Sequence, residues 1–219
     1  MMHAALAARF RPFEALAERL LPHAAGSGDG SHDLSHIQRV FANAMRIAAE
    51  EGGDTELLAA AVLLHDCVAV EKNSPERAFA SRLAAGKASG ILAGLNWPQD
   101  RVVAAAHAIE AHSFSAGIEP RTLEASILQD ADRLDAIGMV GVARCFYTAG
   151  RMASALYDPA DPRAEGRPLD DRTFAIDHFP AKLLRLAGGF RTAAGRRLAA
   201  ERHARLEAFH QQFLEEIGA

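Results

Sequence analysis

The stretch Ala60-Ala61-Val62-Leu63-Leu64-His65-Asp66 constrains this chain most: an apolar run that ends in an adjacent imidazole and carboxylate. A helix built from it is buried almost all round, and a carboxylate is rarely buried unless it is paired or bound to a metal. Asp66 therefore needs a partner from elsewhere in the chain. Upstream, Ser31-His32-Asp33-Leu34-Ser35-His36 opens another helical pattern. Downstream, Gln129-Asp130-Ala131-Asp132-Arg133-Leu134-Asp135 follows the apolar Ile127-Leu128. Imidazole nitrogen and carboxylate oxygen together suit divalent first-row metals. The reading is one metal site built from His36, His65, Asp66 and Asp132.

The surrounding composition favours helix. Aromatics are only 6%, alanine is abundant, and runs of alternating β-branched residues are missing, so a sheet has little to be made from. With 219 residues and no marked linker, repeat or low-complexity tract, the expectation is a single all-α domain over 1–219. A charged fraction of 24% and a net charge of −4 lack the basic excess that duplex nucleic acid demands. A small polyanion needs only local positive charge. Cys67 and Cys145 sit far apart in apolar segments and read as small buried hydrophobes in a reducing compartment. The N-terminus has no secretory apolar core, and no stretch approaches the ~20 apolar residues that span a bilayer, so a cytoplasmic location away from membranes is expected.

Taken in order, apolar spacing predicts a helix over 4–24, broken by the glycines at 26, 28 and 30. Ser31 or Asp33 caps the next helix, which buries His36, Val40, Met45 and Ile47 before Gly52-Gly53 stop it. Asp54 or Thr55 caps the helix that runs to His65-Asp66. Pro75 marks the start of a helix to Leu92, and further helices span Pro98 to His112 and Arg121 to Ala136. Gly138 and Gly141 allow a kink before the segment Met139 to Met152. The proline- and charge-rich stretch Tyr157 to Arg172 reads as a long loop, with helices resuming over Thr173 to Leu186 and from Phe190 onward.

Adjacent helical residues point roughly 100° apart, so His65 and Asp66 share a metal only if it lies over the edge between them. The remaining ligands must come from other helices, which His36 and Asp132 supply. In this order, His, His-Asp, Asp, the chain resembles the HD-domain metal-dependent phosphohydrolases, over about residues 29–190, as an HD-like helical bundle. The phrases His32-Asp33-x-x-His36 and Gln129 to Gly138 are similar to those of a bacterial subgroup of HD-superfamily hydrolases. Some proteins of that kind hydrolyse nucleoside triphosphates to monophosphates and pyrophosphate. The resemblance implies such an activity on a nucleotide or another small phosphorylated metabolite.

The chemistry agrees with that donor set. A divalent ion with open positions lowers the pKa of a bound water towards ~7, making it the nucleophile, and offsets phosphoryl charge. One such ion is expected, Mn foremost, with Co, Ni, Fe, Zn and Mg as alternatives. Glu71, five residues past Asp66, is the first candidate for a general base beside Asp66. Lys72, Arg133 and Lys182 are candidate phosphate contacts, with His178 one helical turn from Lys182 in the His178-Phe179-x-x-Lys182 phrase that the resemblance also includes. His32, four residues before His36, either caps its helix or supports a ligand.

Two alternatives stay open: a nucleotide-binding regulatory module without turnover, and a two-metal (di-iron) oxygenase of the HD superfamily using extra histidines. His107 and His112 are the candidates for the latter. Their five-residue spacing sets them about 140° apart on a helix, so both cannot readily face one cavity and one metal is favoured. The chain is read as a monomer or a homodimer.

Overall fold

A computed structural model describes residues 2–24, 34–68, 70, 79–113 and 116–219. The fold is all-α, with no strand among the described residues, where an isolated bridge pairs Ala155 with Phe174. Its helices are α1 (Met2–Ala7), α2 (Glu14–Leu20), α3 (Leu34–Glu51), α4 (Thr55–Leu64), α5 (Ala80–Gly94), α6 (Gln99–Ala111), α7 (Leu123–Asp135), α8 (Gly138–Arg151), α9 (His178–Ala181) and α10 (Ala193–Glu216). The chain forms two compact units, Met1–Asp132 and Arg133–Ala219, whose boundary falls inside α7. No helix among the described residues is long and apolar enough to cross a membrane.

The first unit is arranged around α4. Every residue from Leu57 to Leu64 is buried, because α2, α3, α5 and α6 all pack against this one helix. A ten-residue helix is marginal by itself in water. Burial supplies what propensity lacks, at roughly 1.5–3 kcal/mol for each Leu or Val removed from solvent. Its start is sharply defined. Gly52 and Gly53 take φ of 85° and 100°, which a side chain rarely adopts. Asp54 then caps, its Oδ1 accepting from the Leu57 amide at 2.9 Å. Arg101, lying over the Trp97 ring, grips both Asp54 and Glu56 at 2.7 and 2.8 Å.

The expected N-terminal helix is two, joined by a 3₁₀ turn over Ala8–Phe10. Pro12 lies in the break, where it has no amide hydrogen to continue a helical ladder. Phe10 is wholly buried, its ring 5.0 Å from that of Phe41 on α3. The caps Ser31 and Asp33 and the helix start at Pro75 lie outside the described residues; α5 is described from Ala80.

In the second unit α8 and α10 pack together. Gly141 is required by space, not by dihedral angle, since a Cβ there would sit 2.3 Å from the Ala136 carbonyl oxygen. The single helix expected over Thr173 to Leu186 is instead a 3₁₀ turn (Ala175–Asp177), the four-residue α9 and a 3₁₀ segment (Leu183–Gly189). Pro180 removes a donor within it, and Lys182, at φ −139° and ψ −58°, leaves the helical region. Before it runs the irregular stretch read from the sequence as a loop, pinned by Arg167. That guanidinium bonds both carboxylate oxygens of the buried Asp177, reaches Asp158 at 3.1 Å and lies 4.6 Å from the Phe174 ring.

Candidate metal centre

The donors come from α3, from the turn that ends α4 and from α7. The α4 core ends at His65, a C-cap residue still near helical dihedrals. The imidazole is 1% exposed, and its Nδ1–H donates to the Val62 carbonyl one turn back at 2.7 Å. That bond leaves the Nε2 lone pair facing outward from the turn. His36, also 1% exposed, comes from the first turn of α3 and sets its Nε2 3.2 Å from the Nε2 of His65. Two imidazole nitrogens this close need a proton or a cation between them.

The carboxylates complete the set. Asp66 Oδ2 lies 3.3 Å from His65 Nε2 and 3.7 Å from His36 Nε2. Asp132 Oδ1 lies 3.5 Å from His36 Nε2. His36, His65 and Asp66 offer donor atoms all within 4.8 Å of one another. Donors on a common ion at about 2.1 Å stand roughly 3.0–3.4 Å apart, so this spacing fits a divalent cation with little adjustment. Two neutral imidazoles and two carboxylates also match its charge.

The electrostatics point the same way. Burial works against a charge on His65, but the carboxylates of Asp66 and Asp132 outweigh it and raise its pKa to about 9. Burial likewise opposes ionisation of Asp66, yet His65 above all, with His112 and His36, holds it well below the usual carboxylate range. A site that traps a proton between anions is built for positive charge.

One member was not assigned from the sequence. His112, the C-cap of α6, is buried, donates from Nδ1 to the Ile109 carbonyl at 2.6 Å and sets Nε2 3.8 Å from Asp66 Oδ1. Its ring meets His65 edge-on at 4.9 Å. Burial and the neighbouring His65 lower its pKa, favouring the neutral ring. It repeats the arrangement of His65, each imidazole bonded to the carbonyl three residues back. His107 is directed elsewhere: its Nε2 accepts from the Arg121 amide at 2.9 Å.

Two buried amides clamp the carriers. Asn43, two turns along α3 from His36, donates to the Ala131 carbonyl at 3.0 Å, beside Asp132. Gln129 donates to the Ala111 carbonyl at 2.7 Å, beside His112. Neither stood out in the sequence. The available signal was a carboxamide at a position where the helical pattern calls for a buried residue.

The remaining sequence candidates fall in two places. His32, Glu71 and Lys72 lie outside the described residues. Arg133, His178 and Lys182 belong to the second unit. There Arg133 is buried and donates to the Gly189 carbonyl, His178 pairs with Asp171 at 2.8 Å, and Lys182 is exposed. Cys67 and Cys145 are free and buried.

Residues 33–137 match the HD domain model. The Bacillus subtilis protein YpgQ is 34% identical over 197 residues, 85% of this chain and 84% of that protein. The crystal structure of YpgQ in complex with ADP superposes with a TM-score of 0.70 at 30% identity, covering 100% of both chains. An HD-superfamily hydrolase from Bacillus thuringiensis gives 0.71 at 31% identity, over 94% of this chain and 98% of that one. A predicted HD-superfamily hydrolase from an uncultured Thermotogales bacterium gives 0.59 at 28% identity, over 90% and 88%. The chain belongs to the HD-domain family of hydrolases.

Proposed function

We propose that this protein is a metal-dependent phosphohydrolase acting on a nucleotide, with a nucleoside triphosphate cleaved to monophosphate and pyrophosphate as the leading case. The observation that carries the reading is the meeting of His36, His65, Asp66 and Asp132, with imidazole nitrogens 3.2 Å apart facing two carboxylates. A divalent ion bound there supplies a Lewis acid that activates water near neutral pH and offsets charge on a phosphoryl group. Binding of ADP by YpgQ supports a nucleotide as ligand.

The chain's own residues then divide the work. His36, His65 and Asp132 hold the ion, and Asp66 both holds it and orients the attacking water. Glu71 is the proposed proton acceptor, and Lys72, Arg133, His178 and Lys182 are the proposed contacts to phosphate, with His32 supporting His36. The amides of Asn43 and Gln129 keep the donor-bearing helices in register. His112, its Nδ1–H committed to the Ile109 carbonyl, turns the Nε2 lone pair toward the Asp66 side of the cluster.

Purified protein with Mn²⁺ or Co²⁺ is expected to release phosphate or pyrophosphate from at least one member of a panel of nucleoside mono-, di- and triphosphates. Asp66→Ala should remove that release. No product from any member with metal present overturns the reading. Tight nucleotide binding without product would establish a regulatory module instead, and two irons per chain on metal analysis would establish a two-metal enzyme.

A further inference from the structure

Of the four donors at the cation site, Asp66 has the least to hold it. His36 comes from within α3 and Asp132 from within α7, and Asn43 ties those two helices together through the Ala131 carbonyl at 3.0 Å. His65 is fixed by its own bond to the Val62 carbonyl at 2.7 Å. Asp66 follows it beyond the last residue of α4, where the helical ladder no longer sets the backbone. Its side chain is 36% exposed, so packing grips it far less than it grips either imidazole.

The residue after Asp66 is held from three sides. The Cys67 amide donates to the Leu64 carbonyl at 3.0 Å and closes the turn. Its thiol donates to the Ala84 carbonyl at 3.5 Å, and its own carbonyl accepts from Lys87 Nζ at 2.7 Å. Ala84 and Lys87 stand three apart on α5 and share a face of that helix. α5 supplies none of the four donors, yet this face holds both the side chain and the carbonyl of the residue that follows Asp66. A thiol is a weak donor and an ammonium a strong one, so Lys87 is the firmer tie.

Lys87 is itself exposed. An exposed lysine ordinarily stays with water, since ordering its stem costs rotamer freedom. Here the carbonyl it meets lies just past a helix C-terminus, where acceptors are left unpaired and a cation is favoured. Two effects of this ammonium oppose each other. As a charge it repels a divalent ion; as a tie it keeps Asp66 in place. Water and salt screen the exposed charge, whereas they do not replace a lost tie behind a ligand.

We propose that Lys87 is a positioning residue: through the Cys67 carbonyl it holds the turn that carries Asp66, keeps that carboxylate beside His36 and His65, and so raises affinity for a divalent cation. The inference rests on the cation site and not on the reaction proposed for it. No bond is made or broken.

The test uses the full chain and Mn²⁺ alone, followed by calorimetry. Lys87→Met keeps the stem and removes the donor, and Lys87→Arg restores one. Lys87→Met should weaken Mn²⁺ binding about tenfold, and Lys87→Arg should return it to within about twofold of the wild type. Thermal unfolding of the metal-free proteins should be the same for all three. Exchange of the Cys67 amide for deuterium should quicken in metal-free Lys87→Met and not in Lys87→Arg, a readout that needs neither ion nor substrate. Tighter binding in Lys87→Met would show the ammonium acting as a repelling charge, and that result, like unchanged affinity, overturns the proposal. Weaker binding accompanied by lower thermal stability and faster exchange throughout α4 and α5 overturns it in favour of a purely structural role. A wild type that binds no Mn²⁺ overturns the cation site and this inference with it. Absence of turnover on every nucleotide would count against the phosphohydrolase reading alone.

Discussion

The two units solve the problem of placing side chains with opposite materials. The centre of the first is aliphatic, with α4 surrounded by four helices and its buried run written in Ala, Leu and Val. The second is aromatic: Phe179 stacks on Phe209 at 5.6 Å, Phe146 lies 5.9 Å from both Phe209 and Phe213, and Tyr157 meets Phe213 edge-on at 6.1 Å. Small residues let helix backbones approach closely, so the short His and Asp stems reach one point with their orientation set by backbone position. Large rings fill space around irregular backbone, and there a guanidinium ties the chain down. The contrast shows that the donor cluster depends on helix register, while the Asp171–His178 pair depends on a pinned loop.

That contrast can be broken experimentally. The largest effect should be Asp66→Ala, with loss of hydrolysis by about 10³-fold or more because metal activation of water is removed. Thermal stability should change little, since the side chain is 36% exposed; a collapse of the fold would mean that Asp66 is structural. Next, each core should show its own weakness. Phe179→Ala should cost about 3–5 kcal/mol and Leu58→Ala about 2–5 kcal/mol in urea unfolding. Hydrogen exchange should locate the first loss in α8 and α10 and the second in α3, α4 and α6. Equal loss everywhere would erase the distinction between the units.

Smaller still, Gln129→Leu removes the donor to the Ala111 carbonyl and should weaken metal binding by about 10–100-fold, read by calorimetry with Mn²⁺. Unchanged affinity would mean that register is set by apolar packing alone. The smallest effect concerns Cys145, whose thiol is pushed up to about 11 by burial and by Asp171. Its alkylation by iodoacetamide at pH 8 should be far slower than that of free cysteine. In the folded state the thiol keeps its proton between its ordinary value near 9 and about 11, where the unfolded chain loses it, so this group lowers stability as pH rises through that window. A fast reaction at pH 8 would place Cys145 at the surface.

Much of the first unit was legible because its logic is local. An apolar run ending in His65-Asp66 announces a buried helix with a polar end, and Gly52-Gly53-Asp54 announces where that helix begins. The convergence of His36 and Asp132 was legible as a pattern of residue types, not as geometry. His112 was named beside His107 but not placed in the site, because a five-residue spacing says that one of the pair can face a cavity without saying which; the deciding contact, to the Ile109 carbonyl, forms only at the helix end. The N-terminal break was written in Pro12, whose effect apolar periodicity overran. The fragmented run from Thr173 was harder to foresee. Pro180 interrupts it, and the salt bridge of Arg167 to Asp177 at its start is a contact that helical periodicity does not register.

Because α4 has no outward face from Leu57 onward, it tolerates substitution of volume for volume but not a change in length. One residue inserted between Asp54 and His65 would turn the imidazole by about 100° and advance it by about 1.5 Å. The ten residues of α4 therefore act as a fixed gauge between a cap and a cation site. Evolutionary or engineered variation in chain length has room in the loops, and within this gauge it has none.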